Sequence, residues 1–196
     1  MFTGIIETIG KITQIKNEGS NTHFTLASSF TAELKVDQSV AHNGVCLTVV
    51  NIEDNQYTVT AIKETLERTN LGEWKIGDAI NLERCMPANG RFDGHIVQGH
   101  VDDIAICKEV IDENGSWKFW FEINQKEQLK YIVQKGSICI NGISLTVVDV
   151  TETGFSVAII PYTYEHTNLH AVKPGNKVNI EFDVIGKYVA KMLGKQ

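Results

Sequence analysis

Two short stretches, NGVCLTV at 43–49 and NGISLTV at 141–147, carry side chains suited to chemistry. In each, an Asn-Gly turn enters a strand. Side chains alternate along a strand, so Cys46 and Thr48 share one face, opposite Leu47 and Val49. In the second stretch Ser144 and Thr146 lie opposite Leu145 and Val147. Small polar groups side by side make room for a ligand and supply hydrogen bonds to it. The same pattern also suits an exposed strand face with idle hydroxyls. His100, which follows Gly99, is of a residue type that moves protons near neutral pH, and also one that often serves structure alone. Cys46 is a candidate nucleophile, although nothing beside it in sequence signals a lowered thiol pKa.

These residues sit in a repeat. Aligning 39–83 on 137–181, an offset of 98, gives 18 identities in 45 positions. ETLERTNL (64–71) matches YTYEHTNL (162–169), and KIGDAINLE (75–83) matches KPGNKVNIE (173–181). TGIIETI (3–9) echoes QGHVDDI (98–104) at an offset of 95, which predicts three residues inserted in the second unit's first hairpin. The copies differ where chemistry would register it: Cys46 against Ser144, Ile5 against His100, Lys63 against Pro161. Such divergence suits one substrate bound twice in different roles; drift after duplication produces it too.

A period near 98 is the size of a domain. The chain therefore reads as two units, 1–94 and 95–183, joined through MPANGRFDG (86–94), and a tail at 184–196. Short β-branched runs such as GIIETIGKITQI and YTVTAI, separated by polar or glycine turns, predict a small closed or Greek-key barrel in each unit. Helical turns are expected in KETLERTNL and its counterpart, near AELK (32–35) and in KEQLKYIVQ (126–134). In the tail, large apolar residues at 185, 188, 189, 192 and 193 line one face of a helix. That face suits either its own barrel or copies of itself.

Other functions are disfavoured. Net charge is −6 and no basic cluster stands out, which argues against nucleic acid or an anionic membrane. No apolar run reaches the roughly 20 residues of a membrane span. MFTGIIETIG lacks the features of a signal peptide, so a cytoplasmic protein is expected. The four cysteines form no CxxC pair, and His95 and His100 are an odd number apart, so no metal is expected. No glycine-rich phosphate loop is present.

MFTGIIE, AHNGVCLTV, KETLERTNLG, GRFDGHIVQGHVD, NGISLTV and VNIEFDVIGKYV together, in order, resemble the riboflavin synthase family over essentially the whole chain. The resemblance implies an all-β fold with short helices: two tandem six-stranded antiparallel Greek-key barrels and a C-terminal amphipathic helix. It implies that two molecules of 6,7-dimethyl-8-ribityllumazine dismutate by four-carbon transfer to riboflavin and 5-amino-6-ribitylaminouracil, with no cofactor. Partners implied are two lumazines, a homotrimer with sites between neighbouring subunits, and lumazine synthase. By resemblance the first barrel binds through Gly4, Ile5 and Ile6, then Cys46, Leu47 and Thr48, then Thr60, Ala61, Ile62, Lys63, Glu64 and Thr65. The second set runs through Gly99, His100 and Val101, Lys135, Ser144, Leu145 and Thr146, then Ile159, Ile160, Pro161, Tyr162, Thr163 and Tyr164. Phe2 and Thr3 are expected to close over the ring. The catalytic set is His100, Ser144, Thr146, Cys46 and Lys135, with Asp183 available nearby. Asn141 stands where relatives often have Asp, and a turn role suits it better than proton transfer.

Two alternatives compete. Lumazine and yellow fluorescent proteins share the fold without turnover, but His100, Lys135, Ser144 and Thr146, usually eroded in them, are kept here. A flavin-carrying barrel of a reductase would be followed by a dinucleotide-binding domain, which this sequence lacks.

Overall fold

The computed structural model describes residues 1–194. In the first barrel β1 (Thr8–Glu18), β2 (Asn21–Ala27), β3 (Ser39–His42), β4 (Val45–Glu53), β5 (Gln56–Ala61) and β6 (Ala79–Arg84) close in the order β1-β2-β5-β4-β3-β6. The second repeats that order with β7 (Asp103–Asp112), β8 (Trp117–Ile123), β9 (Ser137–Ile140), β10 (Ile143–Val150), β11 (Gly154–Ile159) and β12 (Lys177–Phe182). All pairings are antiparallel. β1, β4, β7 and β10 each carry a bulge, at Thr13, Val50, Lys108 and Val148, which are equivalent positions of the repeat. A bulge bends and twists its strand, and these bends let short sheets close. Alternation fills the cores: Tyr57, Val59 and Ala61 point inward from β5, and Phe119 and Phe121 from β8.

The helical expectations hold with shifts. α1 (Lys63–Arg68) and α2 (Pro161–His166) occupy matching places, each followed by a 3-10 turn. Pro161 stands at the first turn of α2, where its missing N–H costs nothing. AELK and KEQLKYIVQ overlap 3-10 turns at Thr31–Glu33 and Lys126–Tyr131. α3 (Val184–Met192) follows, capped by Asp183, whose Oδ1 accepts from the Ile185 N–H at 3.0 Å. Lys195 and Gln196, the end of the expected tail, lie outside the described residues.

Two expectations need correction. GIIETIGKITQI is not one strand: β1 begins at Thr8, because Gly4, at φ +79°, turns the chain away from the barrel. The three inserted residues are not in the first hairpin. Ile15 pairs Phe24 and Val110 pairs Phe119, so the 95-residue offset survives both hairpins. Asp37 and Lys135, which donate to the carbonyls of Val49 and Val147, are already 98 apart. The insertion therefore lies between them, around the Lys126–Tyr131 turn.

The barrels meet near a pseudo-twofold axis. Asn43 and Gly44, and equally Asn141 and Gly142, have positive φ, as a two-residue hairpin turn requires. Asn43 Oδ1 accepts from the Asn81 N–H at 2.8 Å, and Asn141 Oδ1 from the Asn179 N–H at 2.9 Å. Asn168 and Asn70 reach across to Asn81 and Asn179. Six asparagines thus satisfy one another's buried groups at the seam. Asn141 is a turn residue in this network.

His42 is fully buried, with Nδ1 3.0 Å from the Val40 carbonyl and Nε2 2.9 Å from the Tyr57 hydroxyl. Burial lowers its pKa from 6.5 to about 4. Between those values the unfolded chain binds more protons, so stability is intact above the unfolded pKa and falls with pH below it. The expected loss is about 3 kcal/mol once pH passes the folded value. Urea midpoints measured from neutral pH downward should show it, and a His42→Gln variant should flatten that part of the slope.

Candidate active site

The site is built from two segments that cross between barrels. Residues 1–7 leave β1, and Phe2 pairs with Val97 through N–H···O bonds of 2.8 and 3.1 Å. Glu83 of β6 then clamps the chain. Its Oε1 accepts from the N–H and hydroxyl of Thr3 at 2.6 and 2.8 Å, and its Oε2 from the Gly4 N–H at 2.9 Å. Glu181 of β12 does the same for the second segment, accepting from the N–H groups of Gln98, Gly99 and His100 at 2.7, 2.8 and 2.9 Å. Burial raises both carboxyl pKa values, and the N–H bonds pull them back down.

These clamps decide which barrel each segment serves. The Gly4 carbonyl accepts from the Ser144 N–H at 2.8 Å, and the Gly99 carbonyl from the Cys46 N–H at 2.9 Å. A Cβ on Gly4 would lie 2.6 Å from the Ser144 Cβ, and one on Gly99 2.5 Å from the Cys46 Cβ. No other residue fits either crossing. Ile6 packs on the second barrel's core and Val101 on the first's. The grouping expected from the resemblance is thus reversed. Gly4, Ile5 and Ile6 belong beside Ser144, and Gly99, His100 and Val101 beside Cys46.

The first half-site is an open cavity of about 530 Å³ whose walls include Cys46, Glu64, Thr65, His100, Asp102 and Gln128. Burial pushes the Cys46 thiol up, so it is a neutral S–H and not a ready thiolate nucleophile. The His100 side chain makes no hydrogen bond among the described residues and is free to meet a ligand.

In the second half-site, His95 Nδ1 lies 2.7 Å from Ser144 Oγ. Burial lowers the His95 pKa, and the charge of Asp183 opposes that shift. A neutral imidazole can accept the Ser144 proton and make its oxygen more basic. His95 Nε2 is buried and unpartnered among the described residues. From the sequence His95 is considered as a metal ligand alone; its place one residue after Gly94, which packs on Ser144, is visible only in the fold.

Several expected residues sit elsewhere. Phe2 is fully buried with Ala41, Val97 and Cys139, so it cannot close over a ring, and Thr3 is held by Glu83. Leu47, Ala61 and Ile159 point into the cores and can meet a ligand only through backbone. Leu145 packs partly against the second core, and Tyr164 stacks on Trp117 at 3.9 Å. The Thr60 hydroxyl is 2.9 Å from His23 Nδ1. Lys63 pairs with Glu67, one turn along α1. Thr48, Ile62 and Glu64 on one side, and Lys135, Thr146, Ile160, Pro161 and Tyr162 on the other, are exposed, with Thr163 half-buried between Tyr162 and Tyr164. Each half-site is an open face. A larger groove of about 680 Å³ lies by the 86–94 joint. It touches only Thr3 and Ile5 of the expected residues, and its Arg84 is occupied by Glu7 and Glu33 at 2.6 and 2.7 Å, so size does not mark it as the site.

The model of the lumazine binding domain matches residues 3–85 and again 98–183. Riboflavin synthase of Actinobacillus pleuropneumoniae is 46% identical over 198 residues, covering 100% of this chain and 91% of that protein. The chain belongs to the riboflavin synthase family. Riboflavin synthases of Bacillus subtilis (strain 168) and Escherichia coli (strain K12) are each 40% identical, covering 100% and 93% of this chain and 91% and 87% of their own length. Among solved structures, LumP complexed with riboflavin superposes with a TM-score of 0.86 at 23% identity, covering 93% of this chain and 99% of that one. LumP complexed with 6,7-dimethyl-8-(1'-D-ribityl) lumazine gives 0.84 at 21% over the same shares. At these identities the superpositions show the tandem-barrel fold.

Proposed function

We propose that the protein joins two molecules of 6,7-dimethyl-8-ribityllumazine, moving a four-carbon unit from one to the other to give riboflavin and 5-amino-6-ribitylaminouracil. No external oxidant or reductant is required, because what one lumazine loses the other gains. The observation that carries this reading is the pair of unlike half-sites on equivalent frames. One sets His100 against Cys46; the other sets Ser144 and His95 against Gly4. One substrate held in two chemical settings is what a dismutation needs. The ring system delocalises the carbanion formed at its 7-methyl group. The protein's share is then to hold two rings face to face and to move protons. His100, Cys46, Ser144 and Thr146 are the groups assigned to that work, with Lys135 at the rim and His95 added behind Ser144.

Both half-sites are open on one chain, and two open faces close on each other when they belong to neighbouring copies. The apolar stripe of α3 supports this: Ile185, Tyr188, Val189, Met192 and Leu193 turn away from the barrel, with Met192 87% and Tyr188 66% exposed. Such a face requires a cover, and a homotrimer with helices at its centre supplies one. A Val189→Glu, Met192→Lys variant should dissociate to a folded, inactive monomer by light scattering; an unchanged assembly would remove the helix from the interface. No helix among the described residues is long and apolar enough to cross a membrane, and a cytoplasmic enzyme supplied by lumazine synthase fits this reading.

Prolonged incubation of the protein with the lumazine, followed by chromatography, tests the function. Riboflavin should accumulate at half the molar amount of lumazine lost. A stable fluorescent complex with no riboflavin would make the protein a binding relative.

A further inference from the structure

Two features of the second unit have no counterpart in the first: the three inserted residues around the Lys126–Tyr131 turn, and helix α3. Both converge on the cavity beside His100. The turn places Gln128 in the cavity wall. α3 packs on the same turn, close enough that a Cβ added to Gly186 would lie 3.8 Å from the Tyr131 carbonyl. From α3, Lys187 Nζ reaches Asp102, 2.9 Å from Oδ1 and 2.8 Å from Oδ2. Both side chains are about three-quarters buried, at 25% and 23% exposure.

Asp102 stands two residues after His100, in the wall of the same cavity, and its Oδ2 also accepts from the Phe182 N–H at 2.9 Å. The equivalent carboxylate of the first unit, Glu7, is held by Arg84 from its own barrel's β6. One crossing segment is thus anchored from a strand and the other from the terminal helix. His100 has no side-chain partner of its own among the described residues. Its placement comes through backbone, from Glu181 before it and from Asp102 after it.

We propose that Lys187 is the positioning residue that sets His100 for proton transfer, so that seating of α3 makes the first half-site competent. This rests on the lumazine dismutation proposed above. A helix covered by other copies stays on its seat, and one left bare on its apolar face frays. Assembly and proton transfer are then linked through one ion pair.

The test compares Lys187→Met, Lys187→Arg, Asp102→Asn and the Lys187→Met, Asp102→Asn double variant in the full chain. Lys187→Met should slow turnover about tenfold, with KM within about twofold of the parent and unchanged assembly size. Lys187→Arg should recover most of the rate. Asp102→Asn should match Lys187→Met, and the double variant should be no slower than either single one. Amide hydrogen exchange over residues 98–102 should quicken in Lys187→Met while the barrel strands stay protected. That exchange needs no turnover, so it decides the positioning role even if the protein makes no riboflavin. Should Lys187→Met disturb assembly, hydrogen exchange over residues 98–102 in Asp102→Asn decides, since that variant changes no residue of α3. Parental turnover and parental exchange in these variants, or rate losses that multiply in the double variant, would overturn the proposal.

Discussion

A His100→Gln variant will keep its fold and its assembly and lose about two to three orders of magnitude in turnover, the usual share of a positioned proton-transfer group. His100 is exposed at the cavity, and among the described residues it is held through its backbone N–H and not through its side chain. Glutamine preserves the backbone clamp and the side chain's hydrogen-bonding reach, but it cannot exchange a proton near neutral pH. Thermal midpoint and light scattering should match the parent. Loss of stability along with activity would make His100 a structural residue, and unchanged turnover would move the chemistry to Ser144 and His95.

Glu181→Ala will cost both function and stability. Its carboxylate accepts from three backbone N–H groups, and removing it leaves those donors without a partner at a largely buried crossing. Unsatisfied donors cost about 1–3 kcal/mol each, so the loss is several kcal/mol in urea unfolding. The segment that sets Gly99 on Cys46 and presents His100 would also lose its register, so turnover should fall at least as far as in His100→Gln. Glu181→Gln keeps one acceptor oxygen and should fall between the parent and Glu181→Ala. A Glu181→Ala protein with parental turnover would show that the clamp does not place His100.

Much of this architecture is legible in the residues. The 98-residue repeat and its Asn-Gly turns specify two barrels, because a two-residue turn with positive φ fixes hairpin register and alternation then assigns the faces. The stripe at 185, 188, 189, 192 and 193 predicts α3, and these residues are exposed on the helix that forms there. What stayed hidden depends on contacts between residues far apart in the chain. Nothing in the β-branched run GIIETIGKITQI marks a break before Thr8, and periodicity does not say on which barrel a segment packs. The crossing that joins Gly4 to Ser144 and Gly99 to Cys46 therefore leaves no trace in the sequence, where the binding residues group by chain order. Phe2, a large residue at a chain end, reads as a flap until Val97 is seen beside it. His95 and Lys187 carry no local signal, because their partners, Ser144 and Asp102, lie 49 and 85 residues away.

In the proposed reaction, carbon passes between two lumazines held by the same protein. The direct measurement mixes equal amounts of unlabelled lumazine and lumazine carrying carbon-13 at ring positions 6 and 7 and their methyl groups, then reads the riboflavin by mass spectrometry. Riboflavin labelled from both parents, from one and from neither should all appear, with the singly derived species most abundant. Riboflavin lacking that mixed species, or no riboflavin at all, would mean that no carbon passes between two bound lumazines.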